Sequence, residues 1–184
     1  RKPPVGPLRR RAATAQQASP RKLALVIAIG TYDSTTGWKS ISSLNDINYM
    51  KPALIGQGFE ESNIEILKNE QANKVGIVAA IDRLIAKAKP GDIVVFHFSG
   101  HGQQIFDNAN KDEADGYDEA LVAYDGKMRY GSTYTGQNHL RDDDVGKKLK
   151  DLRKSIGHLR IFNIFNLKII KNLQEQPGMP VSML

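Results

Sequence analysis

A histidine stands between two glycines in the stretch FHFSGHGQQ, residues 96–104, directly after an apolar run. At the end of a buried strand, His101 would have little local steric cover, and either ring nitrogen could activate a nucleophile. The usual partner of a histidine in this role is a cysteine, and the 184 residues of the chain include none. The alternative is a turn histidine whose ring bonds to the backbone, and the motif alone does not decide between the two.

Carboxylates concentrate in two later stretches, FDNANKDEADGYDE at 106–119 and RDDD at 141–144. Read from Asn108, the first stretch has the oxygen spacing of a calcium loop that ends at Glu119. However, Glu113 stands where such a loop needs glycine, and no flanking helices are evident, so the pattern does not indicate an EF-hand. Two interpretations stay open: a cation site shared by both stretches, or a solvated acidic loop followed by helix-capping aspartates.

The net charge of +6 is unevenly distributed. Residues 1–22 hold seven Lys and Arg and no Asp or Glu. Residues 147–184 hold eight Lys and Arg and two acidic residues. Residues 23–146 hold eleven Lys and Arg but eighteen Asp and Glu. The region of the candidate site is therefore acidic and favours cationic ligands. The first stretch has no apolar face and predicts a disordered basic arm over 1–21. It lacks both interleaved aromatic residues and an amphipathic pattern, so we expect neither nucleic acid nor a membrane as partner.

The composition, 40% apolar and 25% charged, is typical of one soluble globular domain. The longest apolar run, at 23–29, is too short to span a bilayer. Because no disulfide can form, folding does not require an oxidising compartment, and we expect a cytoplasmic protein.

Predicted strands and helices alternate after the arm. The strands are KLALVIAIG, NIEILKN, DIVVFHF, EALVAYD and HLRIFNIF, and the helices are INYMKPALIGQG, NKVGIVAAIDRLIAKAKPG and RDDDVGKKLKDLRKS. This order predicts an α/β fold with a mainly parallel sheet and helices on both faces. Ligands of such folds bind beyond the carboxyl ends of the strands, where SGHGQQ and GTYDSTTGWKSISSLND lie.

Three details of these elements can be tested. Asn45 or Asp46 is expected to cap the first helix, in which Pro52 is an unfavourable residue. The apolar face of the second helix is expected to consist of Val75, Val78, Ile81, Ile85 and Ala88. Of the remaining histidines, His97 is expected in the core, and His139 and His158 show no partner pattern.

Five stretches, taken in order, resemble one known family. They are LALVIAIGTYD, SLNDINYMKPAL, GDIVVFHFSGHGQQ, DEADGYDEALVAYD and RDDDVGKKLKDLR. From Lys22 to about Gly157 the chain resembles the caspase-like cysteine peptidases, peptidase family C14, in their metacaspase and orthocaspase branch. The resemblance implies a caspase-like three-layer α/β/α sandwich over 22–165, with a mainly parallel sheet that is incomplete at the C terminus. A divergent tail would follow over 166–184.

The resemblance also implies roles for single residues. His101 matches the catalytic histidine, which assists attack by a cysteine thiolate and protonates the leaving amine. Members of the family cleave peptide and protein substrates after Arg or Lys, and Asp46 and Ser99 match positions of the acidic pocket that binds these side chains.

Many members of the family need calcium. The resemblance places that site at Asp118, Asp142 and Asp143, and the family's site also draws on a carboxylate beyond the cysteine. This chain lacks that carboxylate, so we expect at most weak Ca²⁺ binding and no other cofactor.

The resemblance stops after KDLRKSIGH. There the family continues with an apolar strand and an Asp-x-Cys-His-Ser-Gly segment, which supplies the nucleophile and a pocket aspartate. This chain reads LRIFNIFNLKIIKNLQEQPGMPVSML, without a Ser or Ala version of that segment. His101 therefore has no thiol to activate, and the chain as written is predicted to be inactive.

Three hypotheses follow. The chain is an endopeptidase whose coding sequence was cut or frame-shifted before the cysteine, or a non-catalytic homologue that binds and regulates partners. The third, ranked last, is a nucleic-acid binder that uses its basic ends. A Cys-His-Ser-Gly coding stretch beyond the codon for His158, in another frame or past an intron, would favour the first hypothesis.

Overall fold

The structure is a computed structural model that describes residues 20–106, 116–157 and 161–170. The strands are β1 (Lys22–Ala28), β2 (Ile64–Lys68), β3 (Ile93–Phe106), β4 (Tyr117–Val122), β5 (His139–Arg141) and β6 (Ile161–Ile170). The helices are α1 (Asn45–Gly56), α2 (Lys74–Lys87) and α3 (Asp142–Ile156). In this part of the chain no helix is long and apolar enough to cross a bilayer.

The sheet is built around the long strand β3. The strand order is β2-β1-β3-β4-β5, and β6 also pairs with β3. The β1–β2, β1–β3 and β3–β6 pairs are parallel, whereas β4 is antiparallel to β3 and to β5. β1 covers residues 93–99 of β3 and β6 covers residues 94–103. Because a strand has only two edges, β1 and β6 lie on opposite edges of β3.

The core has two parts, one on each face of the sheet. Leu25 and Ile27 of β1 pack in one cluster with residues of α2 and α3, and Ala24 and Val26 pack in the other with residues of α1. This alternation follows from the two-residue period of a strand. Each fully buried Leu or Ile contributes about 1.5–3 kcal/mol. The predicted α/β architecture, with helices on both faces of a mainly parallel sheet, is confirmed.

The predicted apolar face of α2 was partly wrong. Val75 is 77% exposed, and the buried positions of the helix are Ile77, Ala80, Ile81 and Leu84. The other predicted positions, Val78, Ile85 and Ala88, are partly buried at the margin of the same cluster. The buried face is therefore rotated from the predicted one, toward Ile77, Ala80 and Leu84.

The predicted cap of α1 was also wrong. The residue at the N-cap is Leu44, and no side chain makes a capping hydrogen bond. Asp46 therefore lies in the first turn of the helix. Pro52 lies inside the helix, where its ring nitrogen cannot donate a backbone hydrogen bond.

The first described residues lie just before β1. Arg21, the last residue of the predicted arm, is described, and its Nε donates a hydrogen bond of 3.1 Å to Asp92. The rest of the predicted arm up to residue 19 lies outside the described residues, as do His158 and the tail beyond Ile170. β6 runs past residue 165, where the predicted domain ends.

Candidate functional site

His101 lies inside β3 rather than beyond its end. The strand continues to Phe106, but it changes partner at this point. Pairing with β1 ends at Ser99, and pairing with β4 begins at Gly102. The histidine thus occupies the gap between two partner strands. The expectation of little steric cover was wrong, since His101 is only 3% exposed.

The surroundings of the His101 ring distinguish its two nitrogens. Nε2 lies 2.9 Å from the carbonyl oxygen of Lys39. A carbonyl only accepts hydrogen bonds, so Nε2 carries the proton and, in the neutral ring, Nδ1 carries the lone pair. Nδ1 is buried and has no hydrogen-bond partner among the described residues. Only one nitrogen is therefore satisfied by the backbone, and the other is available as a base.

Two aromatic residues hold the ring in place. The indole of Trp38 stacks on it with ring centroids 4.7 Å apart, and Tyr32 lies at 5.1 Å. The Tyr32 hydroxyl also accepts a 2.7 Å hydrogen bond from the backbone N–H of His101. These contacts restrict both the backbone and the ring of the histidine, so its lone pair has a fixed direction.

The loop that carries Trp38 is tied to the loop after β4. The indole N–H of Trp38 donates a 2.8 Å hydrogen bond to the carbonyl of Gly126. The backbone N–H of Met128 donates a 2.9 Å hydrogen bond to the carbonyl of Thr36. Two segments far apart in sequence therefore build the ring's surroundings, and no local pattern could have predicted them.

The glycine before His101 is required by this packing. A Cβ at Gly100 would lie 2.9 Å from Cε1 of Phe98 and 3.0 Å from the Tyr32 hydroxyl. Contacts this short force neighbouring groups to move. The first glycine of SGHG therefore makes room for the aromatic residues that hold the histidine.

A cavity of about 330 Å³ opens at the surface beside Ser99 and Gly100, the two residues that precede His101. It is lined by Ser40, Ile41, Ser42, Ser43, Asp46, Ser99 and Gly100. The two residues expected in an acidic pocket, Asp46 and Ser99, thus share one cavity, although one lies in α1 and the other in β3. Its walls are mainly hydroxyl groups, and Asp46 supplies a negative charge.

Asp46 also contacts His97, which is buried as expected. Oδ2 of Asp46 lies 3.7 Å from Nε2 of His97, and the two side chains are 23% and 3% exposed. Sequence reasoning did not pair these residues, because about 50 positions separate a helix residue from a strand residue. The contact arises because α1 packs on the face of the sheet formed by residues of β1 and by Val95 of β3.

The three predicted calcium ligands do not form a ready cluster. Asp118 is buried and its carboxylate pairs with Arg141. Burial raises the pKa of Asp142, and the charges of Asp143 and Glu119 raise it further. Within residues 20–106 and 116–157, no group of three or more His, Cys, Asp or Glu could hold a metal ion. The acidic stretch 107–115 lies outside the described residues, so the calcium site stays a prediction.

His139, which showed no partner pattern in the sequence, belongs to a buried polar network. Its Nε2 donates a 2.8 Å hydrogen bond to the side-chain oxygen of Gln103, and its Nδ1 lies 3.0 Å from the Tyr134 hydroxyl. The amide of Gln103 donates to the carbonyl of Met128 at 3.0 Å. Burial, assisted by the charge of Lys74, lowers the pKa of His139 to about 4. This neutral histidine ties β3 to the loop that supports Trp38.

A solved structure shares the fold. The crystal structure of protein GSU0716 from Geobacter sulfurreducens matches 82% of this chain and 48% of its own, with a TM-score of 0.57 and 23% identity. The likeness concerns the arrangement of strands and helices.

Relatives and a family model identify the chain. It is 36% identical to Metacaspase-1 of Candida albicans over 120 residues, 58% of this chain and 26% of that protein. It is 44% identical to Metacaspase-2 of Arabidopsis thaliana over 89 residues, 45% of this chain and 21% of that protein. The chain thus spans about a quarter of these curated relatives. The family model for the metacaspase, peptidase C14 domain matches residues 22–165. The chain therefore belongs to the metacaspase family, as its five stretches predicted.

Proposed function

We propose that this domain is the histidine-bearing part of a cysteine-type endopeptidase that recognises Arg or Lys in peptides. The observation that supports it best is the state of His101. Its Nε2 is bound to the Lys39 carbonyl, and its Nδ1 is left without a hydrogen-bond partner among the described residues. The two residues before it, Ser99 and Gly100, line the cavity that contains Asp46. A base next to a pocket with a negative charge is what cleavage after a basic residue requires.

The chemistry assigns one task to each group. Nδ1 of His101 would accept the proton of a thiol and later return it to the leaving amine. The Lys39 carbonyl stabilises the imidazolium that forms between these steps, because it accepts the hydrogen bond from the protonated Nε2. The stacked Trp38 keeps the ring from turning away.

The cavity would bind the basic side chain. A guanidinium or ammonium group entering it meets the Asp46 carboxylate and the hydroxyl groups of Ser42 and Ser99 as acceptors. A neutral side chain of the same length gains no charge pairing there. The pocket therefore favours Arg and Lys over Leu.

The chain as written supplies no thiol, so we propose that it binds basic peptides without cleaving them. Pure protein should show no turnover of Arg peptides that iodoacetamide can abolish. Turnover that resists iodoacetamide but disappears in His101→Ala would reveal a different nucleophile and contradict the proposal.

Binding provides the direct test of the pocket. A blocked arginine peptide should bind this chain more tightly than the matched citrulline peptide, which has the same shape without the charge. Asp46→Asn should remove that difference, with an expected loss of about 1–3 kcal/mol for a hydrogen-bonded charge partner. Equal affinity for both peptides in the unmodified chain would remove the pocket from the proposal. A non-catalytic regulatory homologue would also bind such peptides without cleaving them. The coding sequence after the codon for His158 distinguishes it from an endopeptidase whose coding sequence was cut or frame-shifted.

A further inference from the structure

The catalytic chemistry proposed above makes no use of His97, a buried histidine in contact with the cavity. His97 lies in β3, two residues before Ser99 of the cavity wall. Its Nε2 is 3.7 Å from Oδ2 of Asp46, and its side chain is 3% exposed. A titratable group so close to the charge of a binding pocket must influence that charge.

The elements packed around His97 are largely apolar. In β1 the residue opposite it is Val26, which is fully buried. On its own strand Val95 precedes it by two residues and is buried. From α1, Asp46 brings a carboxylate to the ring. The ring is buried, whereas the carboxylate is 23% exposed along the cavity, so water screens the attraction between an imidazolium and the carboxylate only in part.

We propose that His97 is a specificity-determining residue that sets the charge of the cavity. This inference rests on the proposed function, because it assumes that the cavity binds a cationic side chain. With a neutral His97, the ring does not offset the negative charge that Asp46 brings to the cavity. With a protonated His97, the two charges compensate each other, and a cationic ligand loses its partner. Binding of basic peptides is therefore confined to the pH range in which His97 is neutral.

Proton titration tests the contact without any ligand. In the full chain, the imidazole of His97 is followed by NMR from pH 8 to pH 5 and assigned by its absence in His97→Gln. Asp46→Asn should lower the midpoint of this titration by about one pH unit, because it removes a partner that favours the charged ring. Identical midpoints in the two proteins would overturn the inference.

Ligand binding tests the consequence. The affinity of the full chain for a blocked arginine peptide should fall about tenfold more between pH 8 and pH 5.5 than that for its citrulline analogue. His97→Gln should bind the arginine peptide with nearly the same affinity at both pH values. By linkage, the arginine peptide should also lower the midpoint of the His97 titration in the unmodified chain, a measurement that needs no variant.

The outcomes separate the two proposals. If the arginine peptide does not bind at pH 8, both the pocket and the role of His97 are wrong. If it binds at pH 8 through Asp46 but His97→Gln keeps the pH dependence of the unmodified chain, the pocket stands and the role of His97 is wrong. His97→Asn gives a second neutral variant if the glutamine does not fit.

Discussion

At the scale of single residues, the site depends on which nitrogen of His101 is already bound. The Lys39 carbonyl accepts a hydrogen bond from Nε2, and the stacked Trp38 fixes the plane of the ring. Nδ1 is therefore the nitrogen that can act as a base. The sequence predicted the histidine from SGHG but left both nitrogens open. The sequence could not distinguish the two nitrogens, because Lys39, whose carbonyl binds Nε2, lies 62 positions from His101 and contacts the ring only in the folded chain.

Gly100→Ala tests how tightly the surroundings of His101 are packed. The new methyl group would press on the ring of Phe98 and the hydroxyl of Tyr32. We expect a loss of about 1–3 kcal/mol in the free energy of unfolding, measured by urea denaturation. Gly146→Ala is the matched control: its Cβ would meet no atom within 4 Å, and it lies in α3, where alanine gains about 0.5–1 kcal/mol over glycine. Equal stability of the two variants would show that Gly100 is not tightly packed.

At the scale of elements, the length of β3 was predicted wrongly at the point where its pairing partner changes. SGHGQQ is polar and rich in glycine, so the sequence ended the strand before it, yet β4 pairs with β3 from Gly102 onward. The three residues of β5 are too few to give a periodic signal. The last strand was predicted over HLRIFNIF, which ends at residue 165. Its backbone continues beside β3 and places Lys168 opposite His101.

Cysteine substitution tests the register of β6. The chain has no cysteine, so a single introduced thiol reports only its own surroundings. A cysteine at 168 should react with iodoacetamide at lower pH than one at 167 or 169, because the register places position 168 opposite His101. His101→Ala should abolish this difference. Equal reactivity at the three positions would mean that β6 does not lie in this register.

Calcium binding can be measured at the place where the start of α3 lies close to Glu119 of β4. A cation would relieve the crowding of Asp142, Asp143 and Glu119, but Arg141 already holds the carboxylate of Asp118. We therefore expect weak binding by calorimetry, near the roughly millimolar end of protein sites, with Mg²⁺ a poor competitor. The double variant Asp142→Ala/Asp143→Ala should lose the calcium heat, and Asp144→Ala in the same helical turn should keep it. If no heat of calcium binding is measured, or if the heat is unchanged in the double variant, these aspartates do not bind calcium and only stabilise the start of α3.

At the scale of the whole molecule, the sequence predicted the family and the layered fold, since both depend on local patterns that recur in a fixed order. It did not predict the contacts that join distant segments. Asp46 meets His97, Trp38 meets His101, and His139 joins β3 to the loop after β4, each across many intervening residues. These long-range contacts hold the site together, and one of them involves His139, whose pKa is lowered by burial.

The dependence of stability on pH can be tested at His139. Burial lowers its pKa from 6.5 to about 4 in the folded chain, so between these values the unfolded chain binds a proton that the folded chain does not. Its contribution to the free energy of unfolding is therefore complete above about pH 6.5 and is lost progressively as the pH falls toward 4, by up to about 3 kcal/mol. Urea denaturation at steps from pH 7.5 to pH 4.5 measures the slope. His139→Gln, which cannot titrate, should be less stable at pH 7.5 but show a shallower decline toward acid pH. Parallel slopes in the two proteins would mean that His139 titrates alike in the folded and unfolded chains.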